Sequence, residues 1–269
     1  MTSEANSDDV AQFREKLEYH RESLETSQLK RRHMDQTEKG EINALLTDES
    51  HVSAIAKYLL LLGEHEAASE RFAEAAQLRL TYRDRRTEWE REMQDRETYG
   101  EEPHAVRDAL FYALLSADQA ARDAAVDAAA DLSETHADEF GVAPVYFLAT
   151  AIADVLAGEM ADARAAVTSL KANAEHAESE DHRLYAALAE MLAGVVDGDE
   201  QTATAGLATL LSHHEDRHDL EANIRERNFC EYAVPVVALA HSVGVDVTAE
   251  SRFVPDAVSD GSYPPDSDT

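Results

Sequence analysis

Residues 156–170 read LAGEMADARAAVTSL: an apolar helix end, a Gly, an acid, then a helix of small residues. Nearly the same phrase stands at residues 61–78, LLGEHEAASERFAEAAQL, and again at 196–211, VDGDEQTATAGLATLL. Aligning the acids after the turns puts Glu64, Asp118, Glu159 and Asp199 in register, preceded by Gly63, Ala117, Gly158 and Gly198. Gly permits a left-handed turn, an acid at the next helix's positive end satisfies free N–H groups, and Ala lets two helices touch. The last two intervals are 41 and 40 residues. That period, with one antiparallel helix pair per unit, is the signature of stacked helical hairpins. A hairpin alone cannot bury both apolar faces, so stacking is required.

The period exceeds the roughly 34 residues of a tetratricopeptide unit, and that unit's aromatic signature is missing. The expected fold is therefore all-α: stacked antiparallel helical hairpins in a tetratricopeptide-like α-solenoid. Helices are expected over 8–38, 42–62, 64–98, 104–116, 119–136, 144–157, 160–176, 182–197, 200–219 and 228–243, from apolar spacing such as Leu110, Leu114, Leu115. Gly40, Gly63, Gly100, Gly141, Gly158, Gly198 and Gly244 serve as turn residues, and Pro103 and Pro144 suit first helical turns. With no Gly/Ser- or Pro-rich linker inside, residues 8–257 are expected to form a single helical-repeat domain ending in a C-terminal cap. Residues 1–7 and the Pro/Ser/Asp-rich tail, 258–269, are expected to be disordered.

Aromatic residues make up only 6% of the chain, so the core must be built from closely approaching helices with small side chains. One cysteine, Cys230, cannot form an intramolecular disulfide and reads as a small buried apolar side chain. The start, MTSEANSDDVAQF, is acidic where a signal peptide is basic, and no apolar run is long enough to span a bilayer, so a cytoplasmic protein is expected. Fifty-five acids against 24 bases give a net charge of -31, which disfavours direct nucleic acid binding. Five of the bases are Lys, and acid excess with few lysines is the composition expected of a halophilic protein. The charge is uneven: residues 1–110 carry 16 bases and 25 acids, residues 111–269 carry 8 and 30.

Searching for chemistry gives little. There is no Gly-x-Ser-x-Gly elbow, phosphate loop, dinucleotide fingerprint or His-Glu-x-x-His motif. His214, Glu215 and His218 form the richest polar cluster, and Glu215 with His218 has the spacing used in di-iron bundles. The second pair such a site needs is offered only by Glu101 and His104, beside Pro103 at a helix start, so no metal or other cofactor is expected. The segment TYRDRRTEWEREMQDRETYGEE, 81–102, combines the chain's one Trp with a run of Arg. Arg and aromatics are favoured interface anchors, so Tyr82, Arg86, Trp89 and Tyr99 are the candidate partner-binding residues. The competing reading is a solvated helix with Glu and Arg paired at three- and four-residue steps.

Toward the C-terminus the chain reads FCEYAVPVVALAHSVGVDVTAESRFVPDAV, 229–258. Here a Pro-led small-residue helix precedes Gly244, a short extended stretch at Val245 and Val247, and an aromatic-aliphatic-Pro ending that should cover the last hairpin. This pattern, with the preceding hairpins from Ala105 onward and FYALLSADQAARDAA, 111–125, resembles the immunity protein 49 family. The resemblance implies an all-helical, non-catalytic protein that binds and neutralises a cognate protein toxin. It carries over Pro235, His241, Gly244 and Pro255 as structural landmarks and no catalytic residue. A general helical-repeat adaptor for cellular protein partners is the alternative, and a metal-dependent enzyme using His214, Glu215 and His218 is the third.

Overall fold

The computed structural model describes residues 7–33, 37–93, 98–175, 181–218, 223–248 and 251–264. In chain order the helices are α1 (Ser7–His33), α2 (Glu38–Leu61), α3 (His65–Met93), α4 (Thr98–Leu114), α5 (Gln119–Ala130), α6 (Glu134–Glu139), α7 (Ala143–Ala157), α8 (Met160–Ala174), α9 (His182–Asp197), α10 (Glu200–His218), α11 (Ala233–Ser242) and α12 (Asp256–Ser259). Among the described residues there is no strand. Consecutive helices pack on one another: α1 on α2, α2 on α3, α3 on α4, α7 on α8, α8 on α9 and α9 on α10. The chain is an all-α stack of helical hairpins.

The repeated phrase is one turn used three times. Gly63, Gly158 and Gly198 all have φ between 68° and 77°. The acid that follows donates its backbone N–H five residues back: Glu64 to the Leu59 carbonyl at 2.9 Å, Glu159 to Asp154 and Asp199 to Gly194, both at 2.8 Å. This is a Schellman C-cap, closing the preceding helix. The side chains of the acids differ in what they do. Asp118 accepts from the N–H groups of Ala120 and Ala121, and Asp199 from those of Gln201 and Thr202. Glu159 makes no side-chain cap, because its longer stem carries the carboxylate past the first turn. At Ala117, where there is no Gly, the turn leans on a neighbour: its N–H donates to the Ser69 hydroxyl of α3.

Two glycines do a different job. Gly194 of α9 and Gly206 of α10 face each other's helix so closely that an added Cβ would stand 2.2 Å from the Ala203 backbone nitrogen and 2.3 Å from that of Met191. These helices touch backbone to backbone.

α4 is the centre of the stack, packing on α3, α5, α6, α7 and α11. Its last carbonyls are satisfied from two sides. Arg122 donates to those of Ala113 and Ser116, and the Tyr263 hydroxyl donates to that of Leu115 at 2.7 Å. The C-terminal segment therefore returns to the start of the array. Phe253 packs on His214 of α10, while Val254 lines a cleft with Phe13 and Leu60 of the first hairpin. The cap expected to cover the last hairpin covers the first as well. The four C-terminal landmarks fall at structural joints. Pro235 lies in the first turn of α11, His241 Nε2 donates to the Ser259 carbonyl at 3.2 Å, Gly244 turns with φ of 78°, and Pro255 starts α12.

Several boundaries differ from expectation. The helix expected over 119–136 is broken after Ala130, because Ser133 caps a new helix by accepting from His136 N–H. α11 starts at Ala233, not residue 228. Pro103 lies inside α4, which begins a turn earlier than the proline suggests, and Gly40 and Gly100 lie in first turns of helices. The tail expected to be disordered from residue 258 is packed as far as Tyr263, whose ring is buried against His65 and whose hydroxyl has the Leu115 carbonyl. A buried aromatic ring outweighs the polar composition around it. Residues 1–6 of the expected disordered start, and 265–269 of the tail, lie outside the described residues. Among the described residues no helix is long and apolar enough to cross a membrane.

Candidate partner surface

α3 carries arginines at helical spacing, and the structure uses most of them inward. Arg79 reaches Asp108 of α4 at 2.7 Å and Glu49 of α2 at 3.6 Å. Arg83, one turn on, donates twice to Glu102 of α4 and stands 3.7 Å from Asp131. Steps of three and four residues place these groups on the face that α4 covers. The pairing expected within α3 thus runs mainly between helices.

The candidate anchors divide accordingly. Tyr82 is only 6% exposed, and its hydroxyl donates to Glu101 of α4 at 3.2 Å. Burial, then the nearby Glu101 charge, raises its pKa. Arg86 pairs with Glu90 on its own helix, and its side chain is 12% exposed. Trp89 is half-buried at the edge of α3, with the Arg86 guanidinium 5.4 Å and the Lys39 ammonium 5.2 Å from its ring centre. Tyr99 lies in the first turn of α4, and its side chain is outside the described residues. Of Tyr82, Arg86 and Trp89, only Trp89 keeps an accessible ring at the rim.

What surrounds Trp89 is more accessible than the anchors read from spacing. The chain runs up α1, down α2 and up α3, so the end of α1, the start of α2 and the end of α3 share one end of the molecule. Residues 30–39 hold four of the 24 bases and residues 79–91 five more, so this end is richer in bases than the rest of the acidic chain, with Glu38, Glu41, Asp84 and Glu88 exposed among them. Arg32, Lys39 and Arg91 are exposed, and the Arg85 side chain is 47% exposed beside Glu41. A cleft of about 430 Å³, lined by Arg31, Arg32, Ile42, Leu45 and Arg85, flanks α3 on the α1 and α2 side. A second, of about 490 Å³ and of mixed charge, flanks it toward α6, lined by Arg83, Arg91 and His136 together with Asp84, Glu88, Glu102 and Asp131.

A charged network lies beneath this end. Tyr112 donates to Glu49 at 2.7 Å, Arg107 donates to Asp108, and the Lys57 ammonium donates to Glu231 at 2.6 Å while lying over the Tyr112 and Phe229 rings. Burial raises the Glu49 pKa despite Arg79 nearby, whereas Lys57 holds Glu231 down at about 2. Perturbed groups of this kind also mark active sites. Here they join α2, α3 and α4 to residues 225–232, and each of these carboxylates faces a cation. Their arrangement is that of a structural clamp.

The histidine cluster resolves in the same way. His214 is buried, donates Nε2 to the Glu226 carbonyl at 2.7 Å, and packs tilted against the His218 ring and edge-on against Phe253. Burial lowers its pKa to about 4. Glu215 is exposed. Glu101 and His104 are occupied elsewhere, the first by Tyr82 and the second beside Arg107. Among the described residues no three His, Cys, Asp or Glu side chains are grouped so as to hold a metal ion. Cys230 is buried, and burial pushes its thiol up to about 12.

Comparison with known proteins adds no relative: no protein-family model matches the chain, and neither a curated protein nor a solved structure does.

Proposed function

We propose that the chain is a non-catalytic protein-binding scaffold of the immunity type, which binds and neutralises a protein toxin encoded beside it. The observation that carries this reading is the end of α3, where Trp89 stands at the rim with exposed Lys39 and Arg85 beside it and a cleft on either side. Trp and Arg are among the side chains that most often supply the binding energy at the centre of an interface. The stacked hairpins supply the extended, rigid surface that such capture needs. In this reading the protein works in the cytoplasm, and most of its acidity away from this end serves solubility at high salt.

The test is co-expression with the product of the adjacent gene. Trp89→Ala and Arg85→Glu should each abolish protection while the helical circular dichroism and the melting temperature stay close to wild type. A buried-anchor loss of more than about 2 kcal/mol in binding is enough for that. Full protection by stably folded variants of both kinds would remove this end of the molecule as the anchor. Failure of the wild-type chain to bind the adjacent product would remove the toxin reading.

A further inference from the structure

The acidic half of the molecule holds a groove that sequence spacing did not single out. It has a volume of about 540 Å³ and lies between α5, α7 and α8. Its floor is small and apolar, with Ala129, Ala153, Ala166 and Phe147 buried in it. Its rim carries four carboxylates, Asp127, Glu134, Asp154 and Glu159, with Tyr146 between them.

These acids differ from those around α3. There, Glu49, Glu102 and Asp108 each face an arginine. Among the described residues, none of the four rim carboxylates forms an ion pair. The bases of α5 and α8 point elsewhere: Arg122 to the α4 carbonyls, Arg164 to Asp197, and Lys171 into the next groove. Asp154 bears the consequence: burial raises its pKa, and the charges of Asp162 and Glu159 add to the rise. Like charges held together without a counterion cost free energy in the free protein, and a bound cation recovers it.

The geometry also indicates what kind of cation. No three of these carboxylates converge as a metal ion requires. Instead they are spread along a trough whose floor is mostly alanine, where short side chains leave room for a helix to approach. We propose that this groove docks a cationic amphipathic helix of the protein partner, with Lys or Arg side chains on the carboxylate rim and an apolar stripe on the alanine floor. The proposal rests on the scaffold reading and gives the partner a second point of contact, acidic where the end of α3 is mixed in charge.

The probe is a labelled helical peptide with Lys and Leu at three- and four-residue steps, followed by fluorescence anisotropy at one fixed salt concentration. Two control peptides replace every Lys by Glu, or every Leu by Ser. The Lys and Leu peptide should bind saturably, one per chain, and neither control should. The Asp154→Asn, Glu159→Gln double variant should weaken binding at least about tenfold, whereas Glu25→Gln, Glu70→Gln, which removes the same charge from other exposed positions, should leave it within about twofold. Ala165→Trp, at an exposed position in the groove, should block the peptide without removing charge. In the free protein the Asp154 carboxyl should titrate above the usual range by NMR and return toward it when the peptide binds.

Equal weakening by both double variants, tight binding of the Ser-containing peptide, or no saturable binding by the wild type would each overturn the proposal. Co-expression separates this from the scaffold reading. Toxin capture that survives the Asp154→Asn, Glu159→Gln and Ala165→Trp changes removes the groove and leaves the scaffold. Peptide binding that follows the groove variants, without capture by the wild type, removes the toxin and leaves the groove.

Discussion

In α2, α3 and α4 the helices meet through large side chains and charges: Phe72 on Tyr112, Arg79 between Glu49 and Asp108, Arg83 on Glu102. In α7 through α10 the buried faces carry no Asp, Glu, Lys or Arg, only apolar side chains such as Leu148, Ile152 and Leu188 among many Ala, and they end in the bare backbone contact of Gly194 with Ala203 and of Gly206 with Met191. Both regions use the same glycine turn. The first spends its arginines on its own acids, while the second is thin, with few bases, and leaves rim carboxylates unpaired. Two ways of joining hairpins thus produce two unlike surfaces, an end of mixed charge at α3 where bases and acids alternate, and an acidic groove at α7 and α8.

The largest test of this difference is a single methyl group. Gly194→Ala or Gly206→Ala must push α9 and α10 apart, and each should cost about 3 kcal/mol or more in denaturant unfolding. Gly158→Ala meets open space and should cost only about 1 kcal/mol, from the left-handed backbone alone. Equal losses at Gly158 and Gly194 would show that backbone contact is not what joins the thin hairpins.

The ionic region answers to charge instead. Glu231→Gln leaves Lys57, whose side chain is 7% exposed, without its carboxylate. Removing one partner of a fully buried pair costs about 3 to 5 kcal/mol, but Glu231 is 47% exposed and water can follow, so about 2 kcal/mol is expected here. The pH dependence has a definite sign. Glu231 titrates at about 2 in the fold and near 4.5 when unfolded, so its contribution is complete above pH 4.5 and disappears as pH falls through about 2. In urea titrations, the Glu231→Gln variant should lose less stability across that window than the wild type does.

The smallest effects separate the acids of the repeated phrase. Asp118→Ala removes a side-chain cap and should cost about 1 kcal/mol, and Asp199→Ala removes a cap of the same kind and should lower the melting temperature measurably. Glu159→Ala removes none and should stay within about 0.5 kcal/mol. A loss at Glu159 equal to that at Asp199 would mean that charge at the helix end, not the hydrogen bond, is what the phrase supplies.

The helices, their order and the three glycine turns were legible in the sequence, because apolar spacing and a left-handed Gly are local properties of the chain. So was the burial of Cys230. Ser133 could have been read as a cap that divides residues 119–136, since Ser followed by an acid in the first turn is a helix-start signal. Other features depended on residues far apart. Arg79 and Tyr82 have the composition of an interface, and only the position of α4 turns them into interior links to Asp108 and Glu101. The same holds for Tyr263, which sits in a polar tail yet closes the end of α4 across 148 positions of chain. It holds too for the groove, whose rim is assembled from acids of three helices and one connecting turn. The sequence by itself determined which segments are helical and where they turn. The tertiary structure alone decided which charges are paired inside and which stay unpaired at the rim, because pairing depends on distance in space and not on spacing along the chain.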